Sequence, residues 1–246
     1  MKKKNLFLLV VSQLSFLLLS SQVFIEVGSP TNNRDAFGSI NVYGSGGLSK
    51  AVPYNKIKGS TFWKPEWQKA YFFNSRDTAL GSYQAKFNFG TQEVHFLNRM
   101  GEEQAAIPGE LSRVIFMKVK DSTEIETVFR ADIEEIKLKS KCKSCFVQEL
   151  NQGDTKLLKI IKREVRAEDS LFGILKKYYF VDKNEYFIQT GDQFNFLKKL
   201  SKDEFFTFIP GKSAYDIWIR EKKFKFINEE DYLVFLAHYN ATHKKD

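Results

Sequence analysis

The sequence predicts an α+β protein that is mainly β: an antiparallel meander, built as a sandwich or an open barrel-like sheet, followed by two to three short C-terminal helices. Three observations lead there. Between Phe62 and Leu197, short runs alternate apolar with polar residues and break roughly every eight to twelve residues at Gly, Asn or Asp, the form of half-buried strands joined by turns. These runs do not alternate with helical segments, as a parallel sheet would require. From Ser201 onward the apolar spacing changes to three and four, the helical period.

The elements follow in chain order. The segment 22–60 is rich in Gly, Ser and Asn, with SPTNN and GSGGLSK as its loosest parts, and is expected to be a flexible leader with one short strand at Ser39 to Tyr43. Residues 61–198 form the β body. YQAKFNF and EVHFLN, around Gly90, predict a hairpin; RVIFMKV and EIETVF, around Lys120-Asp121-Ser122, predict another. FVQELNQGDTKLLKII places Gly153-Asp154 between two strands. KKYYFVDKNEYFIQTGDQFNFL predicts three short strands with turns at Asp182-Lys183-Asn184 and Gly191-Asp192.

The helical segment spans 199–240. Ser201-Lys202-Asp203-Glu204 has the form of a capping box, in which the serine bonds a free amide and the glutamate reaches back. Gly211 ends that helix. A second opens at Ser213 to Asp216, with Ala214, Ile217 and Trp218 expected on one face. Asn228 caps a third, with Glu229, Glu230 and Asp231 in its first turn, where the helix dipole favours acids. Tyr232, Phe235, Leu236 and Tyr239 then make one buried stripe. Residues 241–246 are expected to fray.

The N-terminus adds a destination. Lys2, Lys3 and Lys4 precede an apolar run from Leu6 to Leu19, and Ser20 and Ser21 supply small residues. That is the order of a secretory signal peptide over residues 1–21. The run is interrupted and shorter than the ~20 apolar residues a spanning helix needs, and no cysteine follows it as a lipid anchor would require. Cleavage leaves a periplasmic or secreted chain of about 225 residues, one or two domains in size. The net charge of +8 falls to +5 without the three leading lysines, a balance that does not argue for nucleic acid. The 24 phenylalanines and 10 tyrosines suit pleated, half-buried surfaces.

No motif calls for a catalytic centre or a cofactor. Gly211-Lys212-Ser213 resembles the tail of a P-loop, but Phe206 stands where that loop needs glycine and Pro210 removes an amide. Gly44, Gly46 and Gly47 lack a following helix and read as linker. His95, His238 and His243 show no metal-binding spacing, and there is no G-x-S-x-G. Trp63 and Trp67, in FWKPEW, are candidates for a ligand-stacking platform, against the plainer alternative of buried aromatics opening the sheet.

KSKCKSC carries the remaining candidates. Lys137, Lys139, Lys141 and Lys143 recur at period two, so on a strand they share one face. Such a stripe suits contact with a polyanion or anionic surface, or simply protects a sheet edge. Cys142 and Cys145, the only cysteines, would stand about 10 Å apart on a continuous strand. A disulfide therefore needs a turn at Lys143-Ser144. A redox C-x-x-C opens a helix, whereas strand and hairpin follow here. Zinc would need two further ligands. A structural staple or two free thiols remain.

IKGSTFWKPEWQKAYFF, YQAKFNFGTQEVHFL, FVQELNQGDTKLLKIIKREV and FKFINEEDYLVFLAHYN, in that order, resemble a group of uncharacterised exported proteins of Bacteroidetes-type bacteria, over Ile57 to Asn240. In that group G-S-x-x-x-x-x-x-W precedes a strand-rich body, and short helices close the chain near N-E-E-D-L and Y-N. The resemblance implies export and a β-rich build with a helical C-terminus. It implies no catalytic residues, and Cys142 and Cys145 are no part of it. The expectation is a non-catalytic binding or interaction protein of the cell envelope, with an unidentified partner or ligand. The alternative is a periplasmic enzyme with a dispersed site or a thiol-disulfide role.

Overall fold

A computed structural model describes residues 39–43, 49–106, 109–120, 122–142, 144–169 and 176–242. The expected signal peptide, the Gly44-to-Gly47 cluster, Lys143 and His243 lie outside them. The β-rich build is as expected: a many-stranded, unclosed sheet with a few short C-terminal helices.

Strands β1 (Ser39–Tyr43) and β2 (Ser49–Pro53) pair antiparallel as a separate ribbon. A 3-10 turn at Tyr54–Lys56 leads to β3 (Ile57–Lys58), which joins the main sheet. The segment expected as leader thus carries structure from Ser39, and Val52 and Ile57 are buried. The main sheet continues with β4 (Gln68–Asn74), β5 (Ala79–Asn88), β6 (Glu93–Leu97), β7 (Glu103–Ala105), β8 (Leu111–Lys120), β9 (Thr123–Arg130), β10 (Val147–Glu149), β11 (Thr155–Asp169), β12 (Lys176–Thr190) and β13 (Gln193–Leu197). Its order is β13-β12-β11-β10-β9-β8-β4-β5-β6-β7. Every neighbouring pair along that path is antiparallel, and only the two-residue pairing of β3 with β12 is parallel.

The β4–β9 half is curled. The rings of Phe87 on β5 and Phe129 on β9 lie 4.8 Å apart, although three strand spacings, about 14 Å in a flat sheet, separate their strands. The register of β4 shifts at Phe72/Phe73 against β5 and at Phe73/Asn74 against β8, and such irregularities bend a strand. The enclosed core is aromatic: Phe72, Phe87, Phe89, Phe96, Phe116 and Phe129, with Ala70 and Ala85 leaving room for them.

The β11–β13 half is covered on both faces. Leu157 and Leu158 are consecutive, point to opposite sides of β11, and are both fully buried. Leu157, Ile188 and Leu197 meet helices α2 (Lys202–Thr207), α3 (Asp216–Glu221) and α4 (Glu229–Thr242). Leu158, Ile160 and Phe187 meet Ile133, Ile136 and Cys145 on the other side. Double coverage explains why KLLKII lacks clean alternation.

Three local expectations are corrected. The turn at Asp182-Lys183-Asn184 does not exist, because β12 runs unbroken and pairs with β11 throughout. Cross-strand ion pairs make that polar stretch a good strand: Arg163 with Asp182 at 2.6 Å and Lys162 with Glu185 at 2.8 Å. Ser201 does stand at the start of α2, but its side chain makes no capping bond. Glu204 instead accepts the amides of Lys198 and Lys199 at 2.7 and 3.0 Å. Before α3, a 3-10 turn over Lys212–Tyr215 changes the phase of the chain, so Tyr215 and Ile219 are buried while Ala214 and Ile217 face outward. The last helix matches its expected form: Asn228 accepts the Asp231 amide at 3.0 Å, and Tyr232, Phe235, Leu236 and Tyr239 are all buried.

Candidate functional site

The lysine stripe does not form. Glu134–Ser140 is a helix, α1, with Glu134 and Glu135 in its first turn. Lys137 pairs with Glu134 and Lys139 with Glu135, each at 2.6 Å and at helical spacings of three and four. These pairs and the buried Ile136 suit a helix, which sends the lysines in different directions. Lys139 also donates to the carbonyl of Phe194 on the edge strand β13. Lys141, at φ 54°, ends the helix in the left-handed region.

Cys142 and Cys145 are joined as a disulfide, with Cα atoms 5.5 Å apart. The staple links the end of α1 to the segment entering β10. Cys145 is fully buried against Ile136, Leu158 and Phe187.

Trp63 and Trp67 do not share a platform. Trp63 points into the curled core, 5.3 Å from Phe129 and 5.6 Å from Phe116 between ring centroids. Trp67 lies on the other face of the sheet, where the ammonium of Lys86 sits 3.9 Å from its ring. Lys86 also stands 3.5 Å from Glu103, which is 2.9 Å from Nδ1 of His95, so that face carries an aromatic and ionic cluster.

The geometry brings together a different set of residues. A cleft of about 470 Å³ opens between the starts of β6 and β8, the end of β9, α1 and the disulfide loop, a size that suits a small molecule. Val94, Ala106, Leu111 and Phe146 give it an apolar floor, and Glu93, Asp132 and Glu134, with Lys137, give it a mainly acidic rim. His95, whose Nε2 lies 3.7 Å from the carboxylate, holds Glu93 below its usual range, ahead of the opposing effect of burial. Burial pushes Asp132 up, but Arg130, bonded at 2.9 Å to each of its oxygens, outweighs that and holds it low. Arg130 reaches Glu149 as well, at 3.1 Å.

Gln92 positions the wall of this cleft. It sits at φ 59° in the β5–β6 turn. Its amide donates to the carbonyls of Phe89 and Ile161 at 2.9 and 2.8 Å, and its oxygen accepts the Phe146 amide at 3.2 Å. Three backbone groups distant in sequence thus meet one side chain. Gln92, Glu93 and Asp132 were not distinguished by sequence reasoning. They match no short motif, because they meet only when the sheet curls and α1 docks across it.

No family model, curated protein or solved structure matches the chain. No helix among the described residues is long and apolar enough to cross a membrane.

Proposed function

We propose that the chain is an exported, non-catalytic binding protein of the cell envelope, and that the cleft beside α1 is where it holds a small ligand. The observation that carries the reading is the pairing of an apolar floor with carboxylates held ionised below their usual range. Such groups attract a ligand rich in cationic or hydrogen-bond-donating groups. They are poorly suited to proton transfer near neutrality, where a catalytic carboxyl is usually raised. Export rests on the order of charge, apolar run and small residues before Gln22, and on the resemblance of Ile57 to Asn240 to exported proteins.

A ligand screen by NMR with small amines, amino sugars and neutral sugars tests the cleft. Shifts at Val94, Ala131 and Phe146 are expected, weakened by Asp132→Asn. Turnover of envelope polymers by the purified protein would sink the non-catalytic reading. Export is tested by sequencing the N-terminus of protein recovered from cells. A start just after Ser21 is expected, and an intact Met1 in a cytosolic fraction contradicts it.

The thiol-disulfide alternative is less well supported. One of its sulfurs belongs to a fully buried residue, and the pair follows α1 instead of opening a helix. A reduction potential below about −300 mV would mark the bond as structural, and a markedly higher one would favour the alternative.

A further inference from the structure

We propose that the outward face of α3 and the turn that follows it form a docking surface for anionic lipid. Ile217 and Arg220 are three residues apart on α3 and both are exposed, so they share its outer face. The chain then turns through Lys222 and Lys223, the latter in the left-handed region at φ 56°. Beyond the turn, Lys225 and Ile227 are exposed while Phe226 between them is buried. Trp218, Ile219, Phe224 and Phe226 root the whole segment in the helical core.

Two independent features point to a lipid surface. The first is unneutralised charge. Arg130, Lys137, Lys156, Lys159, Lys162 and Arg163, on the sheet and α1, each have a carboxylate partner. Arg220, Lys222, Lys223 and Lys225 have none within 4.0 Å among the described residues. Asp231 turns its carboxylate to the amides of Lys225 and Phe226, Asp216 opens α3 one turn before Arg220 without pairing with it within 4.0 Å, and Glu221 is the one acid within the run. The second is apolar exposure at the margins of this charge: Ile217 is 65% and Ile227 82% exposed.

A branched aliphatic side chain on either side of four cations is the composition that interfacial binding uses. Aliphatic groups enter the acyl boundary while ammonium and guanidinium groups meet the headgroups. Each basic side chain held near an anionic leaflet raises partitioning roughly fivefold. A soluble polyanion would use the cations and leave the isoleucines idle. The surface lies on the helical layer, away from the cleft beside α1, so the two assignments stand or fall separately.

Co-sedimentation of the purified chain, in the N-terminal form in which it is isolated, tests the proposal. Vesicles of phosphatidylcholine containing roughly one quarter phosphatidylglycerol are compared with phosphatidylcholine alone, so that any insertion of the N-terminal run cancels. At least about a tenfold preference for the anionic vesicles is expected, falling as salt is raised. R220Q/K222Q/K223Q/K225Q should lose the preference, and K118Q/K177Q, at exposed lysines of β8 and β12, should keep it. I217S/I227S should weaken binding several-fold without removing its salt dependence. All the α3-surface positions are exposed, and unchanged circular dichroism confirms that these variants fold. No anionic preference in the wild type, or its survival in the quadruple variant, overturns the proposal. Binding indifferent to I217S/I227S overturns it too, in favour of a soluble polyanion.

Discussion

Gly153 and Asn240 show how single residues tie distant parts of this chain together. Asn240, near the end of α4, accepts the Thr155 amide at 3.0 Å and donates to the carbonyls of Gln152 and Thr155 at 3.0 and 2.8 Å. It sits so close to the β10–β11 turn that a Cβ on Gly153 would lie 2.4 Å from its Nδ2, and Gly153 is itself at φ 113°. Gly153→Ala should therefore cost about 2–3 kcal/mol in urea unfolding. Asn240→Ala should cost about 1–2 kcal/mol through the unpaired backbone groups. The double variant should fall short of their sum, because Asn240→Ala removes the two closest contacts but leaves its Cβ at 2.9 Å and the strained φ.

The same scale sets the pH limits. Burial, then the neighbouring Asp231, push the Tyr232 phenol up to about 12, and its hydroxyl donates to the Phe226 carbonyl at 2.8 Å. The folded state thus favours the neutral phenol. That stabilisation is complete below the ordinary tyrosine value and is lost as pH rises toward 12. Alkaline unfolding should accordingly coincide with ionisation of Tyr232, read at the tyrosinate absorbance band, and Tyr232→Phe should remove that coincidence. Glu93 and Asp132 act in the opposite sense. Their lowered values stabilise the fold above the usual carboxylate range, and this is lost as pH falls through the folded values. Both are partly solvated, so the effect is below about 1 kcal/mol each.

At the scale of elements, α1 is the least self-sufficient. It has seven residues, one of them buried, and no side-chain cap at its start, far too short to persist alone. The disulfide behind it, the buried Ile136 and the bond from Lys139 to the Phe194 carbonyl hold it against β11–β13, where it sets one wall of the cleft. In the loop-entropy picture a link this short stabilises by about 2 kcal/mol. C142A/C145A should lose roughly that much. Its amides in α1 and 144–147 should exchange faster, while those of β4, β5 and β8 stay protected. Uniform loss of protection would show instead that the bond supports the whole fold.

At the scale of the molecule, the curled β4–β9 half and the helix-covered β11–β13 half are joined by a few polar side chains as well as by the continuous sheet. Gln92 bridges Phe89, Ile161 and Phe146. Arg163 bonds Asp182 through two nitrogens, reaches the carbonyls of Ser60 and Phe62 at 2.8 and 2.7 Å, and lies 5.3 Å from the Phe89 ring. Unfolding should be a single transition. Gln92→Leu orphans the Phe146 amide and should cost about 2 kcal/mol. Q92L/R163L should separate the transition in two. In a Trp218→Phe background Trp63 and Trp67 report the curled half, and coincident transitions there and by circular dichroism would contradict this.

How much of this was legible depended on the range of the interactions. Period-two alternation between Gly90, Gly153 and Gly191 disclosed the hairpins, and the stripe Tyr232, Phe235, Leu236 and Tyr239 disclosed α4, because neighbouring residues enforce both patterns. DKNE misled, since its favourable partners on β11 are remote in sequence. KSKCKSC misled because two periods competed, and pairing of its lysines with Glu134 and Glu135 decided for the helix. The sequence by itself determined the fold class, the helical close and the turn needed to bring Cys142 to Cys145. Only the tertiary structure decided the curl of β4–β9, the separation of Trp63 from Trp67, the cleft at Glu93 and Asp132, and the cationic surface after α3. Each of these depends on which faces meet across a sheet or a helical layer, and local spacing carries no record of that.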